Sequence, residues 1–179
     1  MSVPTGVRLR EAVPGDAAAL LALKRSLDLE TSFMLLEPDE RTEDEHDVAA
    51  DLAAIAAAGN SVVMLAEVDG RLVGYAQARG GRVRRRAATA HVVIGVLAEA
   101  SGRGVGAGLL RELDSWAPGH GIHRLELTVM AHNERAATLY QRVGYTVEGR
   151  ARECLFVGGR MADELYMAKL FSTQDRGIA

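Results

Sequence analysis

Cysteine occurs once in 179 residues, at Cys154, which excludes an internal disulfide framework and any cysteine-based zinc site. Aromatic residues make up only 4% of the chain, so a core must rest on Leu, Val, Ile and Ala. Excess charge of one sign is lacking too. The 21 basic and 24 acidic side chains leave a net charge of −3, and no general attraction to nucleic acid or anionic lipid follows. No apolar run approaches the roughly 20 residues that span a bilayer. The opening MSVPTGVRLRE carries no apolar stretch of the signal-peptide kind. Internal repeats, linkers and low-complexity tracts are absent. What remains is ordinary for a globular protein, 48% apolar and 25% charged. Such a length suits one domain burying roughly 70% of its unfolded surface. The expectation is a cytoplasmic protein with a single domain over 1–179 and its core at 5–171.

The local pattern alternates turns with short periodic segments. Val7–Ala12 reads as a strand, and Asp16 after Pro14-Gly15 reads as the N-cap of a helix over 17–29. Residues 30–41 are aperiodic and contain Pro38, so they are predicted to be a loop. Thr42 with Glu45 fits a capping box opening a helix to Ala58, which Gly59-Asn60 ends. Ser61–Val68 and Arg71–Ala78 flank Asp69-Gly70, a hairpin turn. A basic loop at 79–88 leads to a strand at 89–97 and a helix at 105–117, stopped by Pro118-Gly119. A strand at Arg124–Val129 and a helix at 134–143 follow, closed by Gly144. Strands at 145–155 and 161–170 form a hairpin around Gly158-Gly159. This order predicts an α+β fold with a single mixed sheet of about seven strands and about four helices. The one βαβ crossover makes the fourth and fifth strands parallel.

Residues 92–110, VVIGVLAEASGRGVGAGLL, carry the strongest chemical signal. A β-branched run enters a loop with glycines at 102, 104, 106 and 108, and a helical pattern follows at once. Glycines let backbone N–H groups approach a ligand closely, and the first N–H groups of a helix lie unpaired at the positive end of its dipole. That combination cradles phosphates. A Walker-type loop is excluded, since this loop has no Lys or Thr. The stretch Gly102–Ala107 also satisfies G-x-G-x-x-[GA], with Glu126 some 20 residues on. A dinucleotide fold would need a longer run of alternating strands and helices, and a glycine-rich turn without ligand is the bland alternative.

The loop SGRGVGAGLL resembles the pyrophosphate loop of the GCN5-related N-acetyltransferases. Their pattern [QR]-x-x-G-x-[GA] falls on Ser101-Gly102-Arg103-Gly104-Val105-Gly106, with Ser101 standing where Gln or Arg is usual. The segment 125–150 resembles the family's second cofactor segment through Asn133, Ala136, Tyr140, Gly144 and Tyr145. RRRAATAHVVIGV and RMADELYMAKL are similar to bacterial members that acetylate free amino acids or related small amines. The resemblance implies acetyl-CoA as co-substrate, no metal, and direct attack by a small-molecule amine on the thioester. A non-catalytic acyl-CoA-binding module and a protein N-terminal or lysine acetyltransferase are the alternatives. Nucleic acid and membrane are not expected as partners, and a homodimer stays open.

By the same resemblance, Gly102, Arg103, Gly104, Val105, Gly106 and Ala107 would hold the pyrophosphate. Ile94, Val96 and Leu97 would pair with the pantetheine arm. Gly95, in mid-strand, fits a bulge or a close packing approach; in the family, a bulge there splays the two parallel strands. Asn133 and Tyr140, seven apart, share one helix face. Asn133 would bind pantetheine, Ala136 would leave it room, and Tyr140 would protonate the departing thiolate. Read as residues alone, Asn133 is equally an N-cap and Tyr140 a core aromatic. Arg142 is a candidate for the 3′-phosphate.

The attacking amine must be neutral, so a base is needed. Histidine titrates near neutrality by type, and His91 stands beside the carboxylates Glu67 and Glu126 as candidates. The acceptor pocket is expected from residues 29–41 and the end of the last hairpin, with Phe33, Met34 and Leu35 as an apolar wall or a core cap. Arg82, Arg84, Arg85 and Arg86 form a solvated basic cluster. Of these, Arg85 is the candidate to hold an acceptor carboxylate. No aromatic platform accompanies them for nucleic acid, and Cys154 has no recognisable His partner as a nucleophile.

Overall fold

The computed structural model describes residues 6–172. Its strands are β1 (Val7–Glu11), β2 (Val62–Val68), β3 (Arg71–Gly80), β4 (Thr89–Val96), β5 (Arg124–Met130), β6 (Thr146–Val157) and β7 (Arg160–Leu170). Its helices are α1 (Ala17–Glu30), α2 (Glu45–Ala58), α3 (Val105–Gly119) and α4 (Glu134–Arg142). The strands form one sheet in the order β1-β2-β3-β4-β5-β7-β6. Only β4 and β5 run parallel; the other neighbours are antiparallel. The expected α+β fold with one mixed seven-stranded sheet is therefore the observed one.

Period-two alternation divides the apolar side chains between two layers. On one face Met64, Ala76, Val92, Leu125 and Leu127 meet Leu109, Leu110 and Leu113 of α3, all three fully buried. On the other, Val63, Leu65 and Tyr75 meet Leu20, Leu23 and Leu27 of α1 and Val48, Leu52 and Ile55 of α2. Tight turns join the hairpins. Asp69 and Gly70 both adopt positive φ, as do Gly158 and Gly159, the geometry that matches strand twist.

Several local expectations need correction. Helix α2 is capped by Asp44 and Asp47, not by Thr42 and Glu45. Asp44 accepts the Asp47 N–H at 2.9 Å, and Asp47 accepts the Asp44 N–H at 3.1 Å. Asp16 stands at the N-cap position of α1, yet its carboxylate turns back to the Val13 N–H at 2.8 Å and to Arg10, because a 3-10 turn at Pro14–Asp16 precedes the helix. Pro118 lies inside the last turn of α3 rather than beyond it; that near the C-terminus it forfeits one helical hydrogen bond without splitting the helix. Gly95 makes no bulge. The β3–β4 register runs unbroken from Gly74–Val96 to Gly80–Ala90. A Cβ on Gly95 would sit 2.5 Å from Leu27 Cδ1 and 3.2 Å from Tyr75 Cε1. It is a packing glycine that lets α1 lie close on β4.

Behind α4, Lys169 donates to Asp114 Oδ2 and to the Val143 carbonyl, both at 2.7 Å. Asp114 Oδ1 and the Tyr145 hydroxyl are buried there with no partner among the described residues. Burial pushes both groups above their ordinary pKa. An unsatisfied buried hydroxyl costs about 1–3 kcal/mol. Tyr145→Phe is therefore expected to leave urea-unfolding stability unchanged or raise it by up to about 2 kcal/mol; a loss above that size would show a hydrogen bond on this hydroxyl.

Candidate active site

The site begins where two parallel strands part. β4 and β5 pair only through Thr89–Arg124, Ala90–Leu125 and His91–Glu126. Beyond that point β4 stays with β3 and β5 stays with β7. The Leu97 N–H donates to the Val73 carbonyl at 2.9 Å, and Thr89 accepts from Gly81 at 3.0 Å. Odd-numbered residues of β4 thus bond to β3. Alternation turns the backbone groups of Val92, Ile94 and Val96 toward the gap, where β5 no longer meets them. Ile94 and Val96 are placed as expected for a strand-like ligand arm. Leu97 is not, because its N–H is spent on β3 and its side chain is buried.

At the upper end of the gap, the glycine loop starts α3. Gly102 and Gly104 have φ of +79° and +84°, a region open to glycine at little cost. Gly104 is the N-cap and has no side chain to satisfy the helix start, and the first helical bond runs from the Gly108 N–H to the Gly104 carbonyl at 2.9 Å. The N–H groups of Val105, Gly106 and Ala107 are therefore without a helical acceptor, at the positive pole of a 15-residue helix. Arg103 is exposed beside them. The arrangement fits an anionic group.

Helix α4 lies beside the start of α3, with Leu139 Cδ2 3.1 Å from the position of a Cβ on Gly106. Asn133 is its N-cap: Oδ1 accepts the Ala136 N–H at 3.2 Å, so the capping role is real, and the amide Nδ2 together with the second lone pair of Oδ1 stays available. Ala136 is half-buried. Tyr140 is the buried residue of this helix, its ring 5.9 Å from that of Tyr145. Burial pushes the Tyr140 hydroxyl well above the ordinary tyrosine value, so it keeps its proton at neutral pH. Arg142 is exposed in the last turn, two turns from the loop.

The three candidate bases lie in different settings. His91 is exposed at the point where β4 and β5 part. With Arg124, Glu126, Leu127, Thr128, Tyr166 and Met167 it lines a cleft of about 310 Å³. Glu126 shares that cleft but is bound by Arg124 at 2.7 Å and by Arg86. Burial opposes its charge, yet the two arginines outweigh it and hold Glu126 below the usual carboxylate range, which makes it a poor proton acceptor. Glu67 lies on β2, two strands away, in an ion pair with Arg10 at 2.8 Å.

The α1–α2 loop closes over the end of β5. Phe33 contacts the His132 ring at 5.4 Å between centroids. Met34 packs on the α1–α2 cluster instead. Leu35 is exposed. Among the described residues Arg82, Arg84 and Arg85 are exposed and have no ion pair, whereas Arg86 is drawn to Glu126. Sequence patterns gave no sign of Arg124, Thr128 or Tyr166 in the cleft, because their meeting depends on the pairing of β5 with β7. Among the described residues no group of three or more His, Cys, Asp or Glu side chains could hold a metal, and no helix is long and apolar enough to cross a membrane.

Comparison with known proteins agrees with this geometry. The L-amino acid N-acetyltransferase AaaT of Escherichia coli (strain K12) is 31% identical over 111 residues, 60% of this chain and 67% of that protein. An acetyltransferase of the GNAT family from Streptococcus pneumoniae superposes with a TM-score of 0.89 at 29% identity, covering 93% of this chain and 99% of that one. A Salmonella typhimurium protein solved with its cofactor acetyl-CoA shares the fold, with a TM-score of 0.84 at 24% identity over 94% and 96% of the two chains. The sequence model of the acetyltransferase (GNAT) family matches residues 26–145, a span that holds the β4–β5 gap, the glycine loop and Tyr140. This chain belongs to the acetyltransferase (GNAT) family.

Proposed function

We propose that this protein transfers the acetyl group of acetyl-CoA to the primary amine of a small molecule, an amino acid or related amine. The observation that carries the reading is the gap between β4 and β5. It leaves the backbone of Val92, Ile94 and Val96 without a β5 partner, beside the start of α3, where side-chain atoms of Ile94 and Val96 stand 3.8 Å from the position of a Cβ on Gly106. In this reading the diphosphate lies on the N–H groups of Val105, Gly106 and Ala107, and the pantetheine arm lies along β4. A β4 N–H polarises the thioester carbonyl, a contact worth about 3 kcal/mol in other enzymes. The neutral amine attacks the carbonyl carbon. The C–S bond then breaks, the amine proton passes to His91 directly or through water, and Tyr140 returns a proton to the thiolate. No covalent enzyme intermediate is required, and Cys154 takes no part.

A small acceptor suits the cleft of about 310 Å³ at His91, and the relative AaaT is by name an L-amino acid N-acetyltransferase. The test is free-thiol release from acetyl-CoA across a panel of amino acids, polyamines and aminoglycosides. Turnover with at least one amino acid is expected. Binding of acetyl-CoA with no thiol release from any amine would instead identify an acyl-CoA-binding module. Within the active panel member, His91→Gln is expected to lower kcat by about 100-fold or more while Glu67→Gln changes it less than about twofold. The reverse ranking would assign the base to β2.

A further inference from the structure

We infer that Arg135, projecting from α4, grips the diphosphate of the acyl carrier and makes the enzyme prefer the phosphorylated carrier to its pantetheine fragment; this rests on the function proposed above. A methyl group placed on Gly102 would have one heavy atom within 4 Å, Arg135 Nη2 at 3.9 Å. One turn on, Leu139 Cδ2 stands 3.1 Å from the corresponding position on Gly106. Arg135 and Leu139 are i and i+4 on one helix face, and that face runs along the glycine loop and the first turn of α3. The guanidinium therefore hangs beside the loop that the unpaired N–H groups of Val105 to Ala107 follow.

Two positive features converge here with nothing to neutralise them. The helix pole is positive, and Arg135 has no ion-pair partner among the described residues. The nearest acid of the loop, Glu99, pairs with Arg71 at 3.1 Å. Ser101, which opens the loop pattern, brings no charge of its own. Like-signed groups repel unless an anion lies between them, and arginine binds phosphate oxygens in a bidentate fork. Arg142 does not reach this spot. Seven residues further along α4, it lies about 10 Å down the axis at 1.5 Å per residue.

The test compares Arg135→Ala and Arg142→Ala with the parent protein on three thioesters: acetyl-CoA, acetyl-dephospho-CoA and S-acetylpantetheine. Both side chains are exposed, and equal melting temperatures check that the fold is intact. Arg135→Ala is expected to raise KM and Kd for acetyl-CoA about tenfold with kcat within twofold. The same tenfold loss is expected with acetyl-dephospho-CoA and none with S-acetylpantetheine. Arg135→Lys should recover part of the loss, and any penalty of Arg142→Ala should vanish with acetyl-dephospho-CoA, whereas that of Arg135→Ala should not. Equal penalties on all three thioesters, or no penalty on acetyl-CoA, would overturn the assignment. A penalty that disappears with acetyl-dephospho-CoA would move Arg135 to the 3′-phosphate and overturn it as well. Failure of the parent protein to bind acetyl-CoA would instead remove the function on which the inference stands.

Discussion

Replacing Tyr140 by Phe is expected to lower kcat by about 10²- to 10³-fold, the range lost when a positioned general acid is removed, while the Kd for acetyl-CoA changes by less than about twofold. The split between turnover and binding follows from where the residue sits. Its ring is a packed part of the core, and Phe preserves that ring and its contact with Tyr145. The hydroxyl alone is lost, and with it the proton that a departing thiolate needs. Burial raises the Tyr140 hydroxyl pKa, so the group is protonated at neutral pH, the form the proposed mechanism requires. Stopped thiol-release assays and calorimetry on the same preparation decide the matter. A variant that binds and turns over like the parent would remove Tyr140 from the chemistry and leave it a core aromatic.

Asp28→Ala is expected to cost about 3–5 kcal/mol in urea unfolding, the penalty for stranding one member of a buried ion pair. The Asp28 and Arg41 side chains are 1% and 7% exposed. Arg41 grips Asp28 through both Nε and Nη2 and turns Nη1 to Glu43, to which Lys24 also reaches at 3.4 Å. This cluster ties the loop between α1 and α2 to the body of α1. With Asp28 removed, the buried Arg41 keeps its charge and only the partly exposed Glu43 remains to balance it. The acceptor KM should also rise, because the tethered loop carries Phe33 over the end of β5. Replacing both partners by apolar residues, as in D28L/R41M, should recover most of the stability, since an apolar pair needs no countercharge. A single variant with less than about 1 kcal/mol of loss would show that water reaches Arg41.

The same cluster gives an acid response of definite sign. Burial pushes the Glu43 carboxyl up, but Lys24 and Arg41 outweigh it and hold it below its ordinary value. A carboxylate lowered in the folded state adds stability above its unfolded pKa of about 4.3 and loses it as pH falls through the lower, folded value. The contribution is therefore full at neutral pH and disappears only in stronger acid.

The features legible before folding are those set by neighbours in the chain. Glycines at 102 and 104 between a β-branched run and a leucine-rich helix fixed the turn that opens α3. Asp69-Gly70 and Gly158-Gly159 fixed two hairpins. Asn133 could be read both as a cap and as a ligand, and its side chain caps α4 at 3.2 Å. The misplaced cap of α2 shows the limit of such rules. Thr42 and Glu45 satisfy the same short pattern as Asp44 and Asp47, and the choice went to the pair at which the helix begins.

The amino-acid order by itself determined the strand and helix sequence, the glycine turn before α3 and membership in the acetyltransferase family, because turn chemistry, periodicity and motif spacing act over a few residues. Only the folded chain decided that β4 and β5 part after His91 and Glu126, that Glu126 is taken up by Arg86 and Arg124, and that Arg135 reaches Gly102. Apart from the Arg124–Glu126 pair, two positions apart on β5, each of these joins residues 30 or more positions apart, and such contacts exist only once the sheet order brings their backbones together.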